Sequence, residues 1–216
     1  MTRVLLSLLF FNGPALAAPQ DLGALVAGLQ RRYASVGSIS AHFTQIYRAP
    51  GIEQTESGIL FMKKPGLMRW EYRQPETKLF VADGRNTYLY TPGDRQVIIR
   101  PFSASELRST PLHFLLGQGD IEKDFKVLRE TEFTPRVEAT FLLRFVPRSP
   151  QPDYEFLVVE CDEKTFDLRR IAIRESTGNL SEFLLTDLET NIKVRDSQFQ
   201  FRIPRGVEVV HLADQE

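Results

Sequence analysis

The feature that most constrains this chain is a succession of short apolar segments with a two-residue period, punctuated by turn residues about every ten positions. Segments 39–47, 58–62, 67–72, 79–82, 87–90 and 97–99 are separated by Pro50-Gly51, Pro65-Gly66, Asp83-Gly84 and Pro92-Gly93-Asp94 among others. The fixed or positive φ of these residues is what tight hairpins need. Such spacing predicts an antiparallel meander. Segments 126–130, 140–146, 154–162, 168–174, 180–188 and 199–203 repeat the pattern farther on.

Helical periodicity is confined to two places. Leu22, Leu25, Val26, Leu29 and Tyr33 form one apolar stripe on a helix starting near Asp21, with Arg31 and Arg32 at its C-terminal end and Gly37 as a breaker. Between the two groups of strands, Ser103 and Glu106 make a capping box, Thr110-Pro111 reads as a second helix start, and Gly117 ends it. Leu112, His113, Phe114, Leu115 and Leu116 lie in that second short helix, which is apolar on nearly every side. No linker, charge block or repeat divides the chain, so residues 18–216 are expected to form a single, mainly β domain with a few helices.

Met68, Trp70 and Tyr72 alternate with Arg69 and Glu71, as a strand with one wet face should. The runs 59–62, 79–81, 141–143 and 156–159 are instead apolar on both faces. Such strands need cover on both sides, and the helices are few. Two arrangements satisfy this: a filled barrel or sandwich, or an incomplete barrel whose apolar concave face is covered by helices and opens to a ligand. Pattern alone favours the filled core, because it registers burial and not voids.

Composition narrows the function. Twenty-seven basic and 28 acidic residues leave a formal net charge of -1, with no electrostatic footprint for nucleic acid. Sixteen phenylalanines stand against one tryptophan and three histidines. The histidines His42, His113 and His211 are scattered, and no HExxH, GxSxG or phosphate-cradling glycine loop is present. An enzyme therefore survives only by default, with no nucleophile–base arrangement to name, and no cofactor or metal site is expected. The one positive charge of Arg3, the apolar run 4–11 and Ala15-Leu16-Ala17 fit an export signal over residues 1–17, cleaved before Ala18. The run is too short to span a bilayer. Cys161, the sole cysteine, sits beside Leu157, Val158 and Val159 and is expected to be a buried, unpaired thiol. No cysteine follows the apolar run, so the exported chain is expected to lack an N-terminal lipid anchor.

One stretch is recognisable: Gly58-Ile59-Leu60-Phe61-Met62-Lys63-Lys64-Pro65-Gly66-Leu67-Met68-Arg69-Trp70. It resembles the LolA family of periplasmic outer-membrane lipoprotein carriers, with a glycine, an apolar strand, a basic residue before proline and a strand ending in tryptophan. The likeness continues through Gln74-Pro75-Glu76, 81–84, 88–92, Ser109-Thr110-Pro111 and 199–207, and upstream at 41–45. It implies an incomplete antiparallel β-barrel with a helical lid over an apolar cavity. It also implies a non-enzymatic monomer in the periplasm. The partners implied are acylated lipoproteins as cargo, an inner-membrane ATP-driven lipoprotein extruder and an outer-membrane lipoprotein acceptor. A LolA-like binder of another lipid, a glycolipid or hopanoid, is the alternative.

By the same resemblance, Lys64 holds the lid closed where the family usually has arginine, an ammonium replacing a planar fork. Lys63 or Arg69 are the other basic residues able to contribute. Met68 stands at a usually aromatic position. Phe61, Met68, Trp70 and Phe80 are expected in the acyl cavity or its mouth, and Leu112, Phe114 and Leu115 on the lid.

Overall fold

The computed structural model describes residues 21–102 and 120–212; the expected signal segment 1–17, the expected capping box at Ser103 and the residues Leu112, Phe114 and Leu115 expected on the lid lie outside the described residues. Asp21 accepts a hydrogen bond from the Ala24 amide at 3.2 Å and caps helix α1, Leu22–Ala34. Six strands follow: β1 (Ser38–Ala49), β2 (Ile52–Lys63), β3 (Leu67–Gln74), β4 (Lys78–Ala82), β5 (Asn86–Thr91) and β6 (Gln96–Pro101). After the short helix α2 (Ile121–Asp124) come β7 (Phe125–Arg129), β8 (Thr140–Pro147), β9 (Tyr154–Asp162), β10 (Leu168–Glu175), β11 (Leu180–Thr190) and β12 (Glu208–His211).

These strands form one sheet of order β12-β6-β5-β4-β3-β2-β1-β11-β10-β9-β8-β7. Two antiparallel meanders are thus joined side by side where β1 pairs with β11, and β12 adds in parallel to β6. The end strands β12 and β7 do not pair with each other, so the barrel is incomplete. Trp70 on β3 and Phe183 on β11 lie three strands apart, ~14 Å on a flat sheet. Their rings nevertheless meet at 5.5 Å, which requires the sheet to curl.

The concave face carries the core. Leu25, Val26, Leu29 and Tyr33 of α1 are buried in the same cluster as Ile39, Phe43, Leu60 and Trp70 of the first meander and Leu143, Leu157, Cys161 and Ile171 of the second. Cys161 is a free, fully buried thiol, and burial raises its pKa. The Tyr33 hydroxyl accepts from the Leu168 amide at 2.9 Å and ties α1 to the start of β10. The two-faced apolar runs are explained by cover on the other side as well. Val81, Val97 and Ile99 point away from the concave face, where Phe201 packs 5.4 Å from Tyr88 and 5.5 Å from Tyr90.

That cover corrects one strand. Residues 199–203 alternate like a strand, but Asp196–Phe199 is a 3-10 turn and 200–204 pairs with no neighbour. Phe199 is buried, while Lys63 and Arg69 donate to the carbonyls of Val194 and Gln198. The alternation reflects side chains laid on the convex face rather than a ladder. The last strand forms later, at Glu208–His211.

A buried ionic cluster also lies on the convex face, under the β7–β8 loop. Arg170 is 2.9 Å from Glu160 and 3.1 Å from Glu182, and it donates to the Thr134 carbonyl. Glu160 accepts from the amides of Arg136 and Val137, and Glu182 also meets Arg48 and Arg136. Each buried carboxylate is therefore paired, as burial demands.

Candidate functional site

Antiparallel register arranges the concave face in rows that run across the strands. Ala41 lies opposite Leu60, Leu60 opposite Trp70, Trp70 opposite Phe80, Phe80 opposite Leu89, and Leu89 opposite Ile98. One unbroken apolar row thus crosses β1 to β6, about 24 Å long at ~4.8 Å per strand. An acyl chain in one leaflet spans about 15 Å, half of a bilayer's hydrocarbon core. Burial is graded along the row. Ala41, Leu60 and Trp70 are buried, Phe80 and Ile98 are half-buried, and Leu89 is 38% exposed.

At the deep end the row is packed shut. Phe43 holds Trp70 edge-on at 4.9 Å, and Phe183 meets the same ring edge-on at 5.5 Å. The seam where Leu60, Met62 and Trp70 face Ile171, Phe183 and Leu185 has a free volume of about 10 Å³. That is room for roughly one water. No acyl chain fits there unless the facing halves, or α1 over them, move apart. A groove of about 440 Å³ runs beside α1 and α2, bordered by Val26, Gln30, Arg31, Asp120 and Glu122.

Gly58 shapes the next rung. A Cβ there would lie 1.9 Å from the Glu71 carbonyl oxygen and 3.0 Å from Phe43. Only glycine lets the strands approach at this bulge, and it lets Phe43 and Tyr72 meet at 4.9 Å across it.

Beyond Gly58 the concave face turns polar. Tyr72 donates its hydroxyl proton to Gln45 Oε1 at 3.0 Å. Lys78 lies opposite Tyr72, sits 4.8 Å from the centre of its ring and reaches across β3 to pair with Glu56. Both members of this pair keep about a quarter of their side-chain exposure. Burial pushes the Tyr72 phenol above its ordinary value, with the Glu56 charge adding to the effect.

Trp70 and Phe80 stand together in the row, and Met68 lies in the adjacent row between Met62 and Ala82, almost fully buried. Phe61, expected with them, is on the opposite face. It alternates with Leu60 and Met62 and pairs in register with Ser40 and Arg69. Lys64 sits at the turn between β2 and β3, and its Nζ donates to the carbonyls of Tyr33 at 3.1 Å and Ala34 at 3.0 Å. These are the last carbonyls of α1, where a cation is favoured by the helix dipole. Burial lowers the pKa of this ammonium. Lys63 and Arg69 are committed elsewhere, to the segment 194–198 on the convex face.

The sequence did not single out Leu89, Ile98 or the Glu56–Lys78 pair. Leu89 and Ile98 lie in segments read as strands, but only the register shows that they continue the row of Trp70. Glu56 and Lys78 are 22 residues apart, and no local pattern links them.

The family model described as "Outer membrane lipoprotein carrier protein LolA" matches residues 34–202. An outer-membrane lipoprotein carrier protein of Methylobacillus flagellatus is 27% identical over 187 residues, covering 86% of this chain and 88% of its own. A protein of the same name from Hahella chejuensis is 30% identical over 212 residues, covering 97% and 99%. The crystal structure of an uncharacterized conserved protein from Thermus thermophilus superposes with a TM-score of 0.55 at 12% identity, over 89% of this chain and 100% of that one. That likeness is one of fold alone.

Proposed function

Because this chain belongs to the LolA family of outer membrane lipoprotein carrier proteins, a family of carriers and not of catalysts, we propose that it shuttles acylated lipoproteins across the periplasm. It takes them from an inner-membrane ATP-driven extruder and delivers them to an outer-membrane acceptor. The observation that carries this reading is the graded row from Ala41 to Ile98, apolar throughout, longer than one leaflet's acyl chain and open at Leu89.

The physics is a transfer between apolar surroundings. Each buried methylene is worth about 0.8 kcal/mol, so shielding part of an anchor is enough to keep it dispersed. Delivery to a more apolar acceptor then needs no nucleotide at the carrier. The nearly closed seam behind Trp70 makes loading conditional on movement of its walls. In this reading Lys64 is the latch, fixing the C-terminal end of α1 over the concave face.

No helix among the described residues is long and apolar enough to cross a membrane. Native mass spectrometry of the protein purified from its own periplasm tests the proposal. Intact acylated lipoproteins in the bound fraction are expected. Free glycolipid or hopanoid alone would replace the lipoprotein carrier with a carrier of that lipid.

A further inference from the structure

Beside the apolar row, four adjacent strands present Tyr72 and Lys78, two residues along from Trp70 and Phe80, and Gln45 and Glu56, four residues along from Ala41 and Leu60. This is an unusual place for an ion pair. Charges at a sheet surface are ordinarily turned toward water, whereas Lys78 lies over the Tyr72 ring beside Trp70 and Phe80. The wall is self-satisfied when empty, because Glu56 holds the ammonium and Gln45 holds the phenol. Its two donors, the Lys78 ammonium and the Tyr72 hydroxyl, stand at the side of a row suited to hydrocarbon.

An acyl chain joined to a polypeptide ends in ester and amide carbonyls, which are chiefly acceptors. A chain lying along the row has to place those carbonyls somewhere. In an apolar setting an unpaired carbonyl is costly. An ammonium has three N–H groups in all, and a charged donor makes the stronger hydrogen bond.

We infer that Lys78, with Tyr72, receives the carbonyl linkage of the cargo's lipid anchor, and that Glu56 competes with the cargo for Lys78. The inference rests on the carrier reading. Lys78 leaves Glu56 in part when a carbonyl arrives, so the pair acts as an internal stand-in for ligand. It makes the site choosy for acyl-linked cargo over bare hydrocarbon, and it weakens binding enough to permit release.

The sign of the Glu56 effect separates this from a merely structural ion pair. Binding is measured for two probes: a synthetic triacylated lipopeptide, and N-phenylnaphthylamine, which has no carbonyl. Glu56→Gln should bind the lipopeptide several-fold more tightly than the wild type. The double variant Glu56→Gln/Lys78→Met, which leaves neither charge of the pair without its partner, should bind it about tenfold more weakly than Glu56→Gln alone. Affinity for N-phenylnaphthylamine should stay within twofold in all three proteins. Equal weakening of both probes by either variant, or lipopeptide affinity unchanged in the double variant, would overturn the inference while leaving the carrier reading intact. A wild-type protein that binds N-phenylnaphthylamine and not the lipopeptide would overturn the carrier reading itself.

Discussion

Replacing Lys64 with methionine keeps the length and apolar stem of the side chain and deletes its donor. Two hydrogen bonds to the last carbonyls of α1, at 3.1 and 3.0 Å, are lost. Net contributions of hydrogen bonds from charged donors run to about 1.5–3 kcal/mol when buried. Here the Ala34 carbonyl is exposed and water replaces part of what is lost. Desolvation of the ammonium, seen in its lowered pKa, offsets another part. The remaining cost is about 1–2 kcal/mol, including the helix-dipole contribution. Because α1 is held by one face and a cap, the cost falls on local opening of that helix rather than on the whole sheet. Amide hydrogen exchange over residues 29–35 should therefore accelerate by roughly 5–30-fold in Lys64→Met, with exchange in β8–β10 little changed. The on-rate of an apolar fluorescent probe should rise with it. Lys64→Arg, which keeps a cation at the position, should restore protection. Protection of α1 unchanged within twofold in Lys64→Met would refute the latch.

Gly58→Ala places a methyl group against the Glu71 backbone, which has no flexible end to give way, and should cost at least about 1–3 kcal/mol in urea unfolding. Arg170→Met leaves Glu160 and Glu182 buried without their shared partner; a loss of about 3–5 kcal/mol is expected, readable as a lower thermal midpoint. At Glu130, burial opposes ionisation, but the Arg144 fork and the amides of Thr131, Glu132 and Phe133 win and hold the carboxyl below its ordinary 4.5. A depressed carboxylate contributes stability that is present above the unfolded value and lost as pH falls through the folded one. Glu130→Gln should thus flatten the loss of stability below about pH 4.5, and an unchanged acid limb in urea titrations would contradict this.

Much of the architecture was legible because it is written in local chemistry. The hairpin at Asp83-Gly84 needs a positive φ, and Gly84 adopts +88°. The α1 stripe and its Asp21 cap are likewise readable within one turn of helix. The row through Trp70 was half legible: Trp70 and Phe80 were identified, while Leu89 and Ile98 depend on register across strands, which sequence spacing does not set by itself. Phe61 was placed wrongly for the same reason. In a run apolar at every position, alternation cannot say which residues face inward, and the cover supplied by the segment 199–201 hides the difference. The buried Glu160–Arg170–Glu182 cluster and the Glu56–Lys78 pair were invisible because their partners are distant in the chain and only the folded sheet brings them together.

Trp70 is the chain's only tryptophan and stands at the deep, closed end of the row, 6% exposed. Its fluorescence therefore reports directly on whether cargo acyl chains occupy the concave face. A triacylated lipopeptide with brominated acyl chains should quench Trp70 saturably, with the same midpoint as binding measured independently. Its unbrominated twin should compete the quenching away. Lipopeptide that binds without quenching Trp70, or that does not bind at all, would contradict a carrier built around this row.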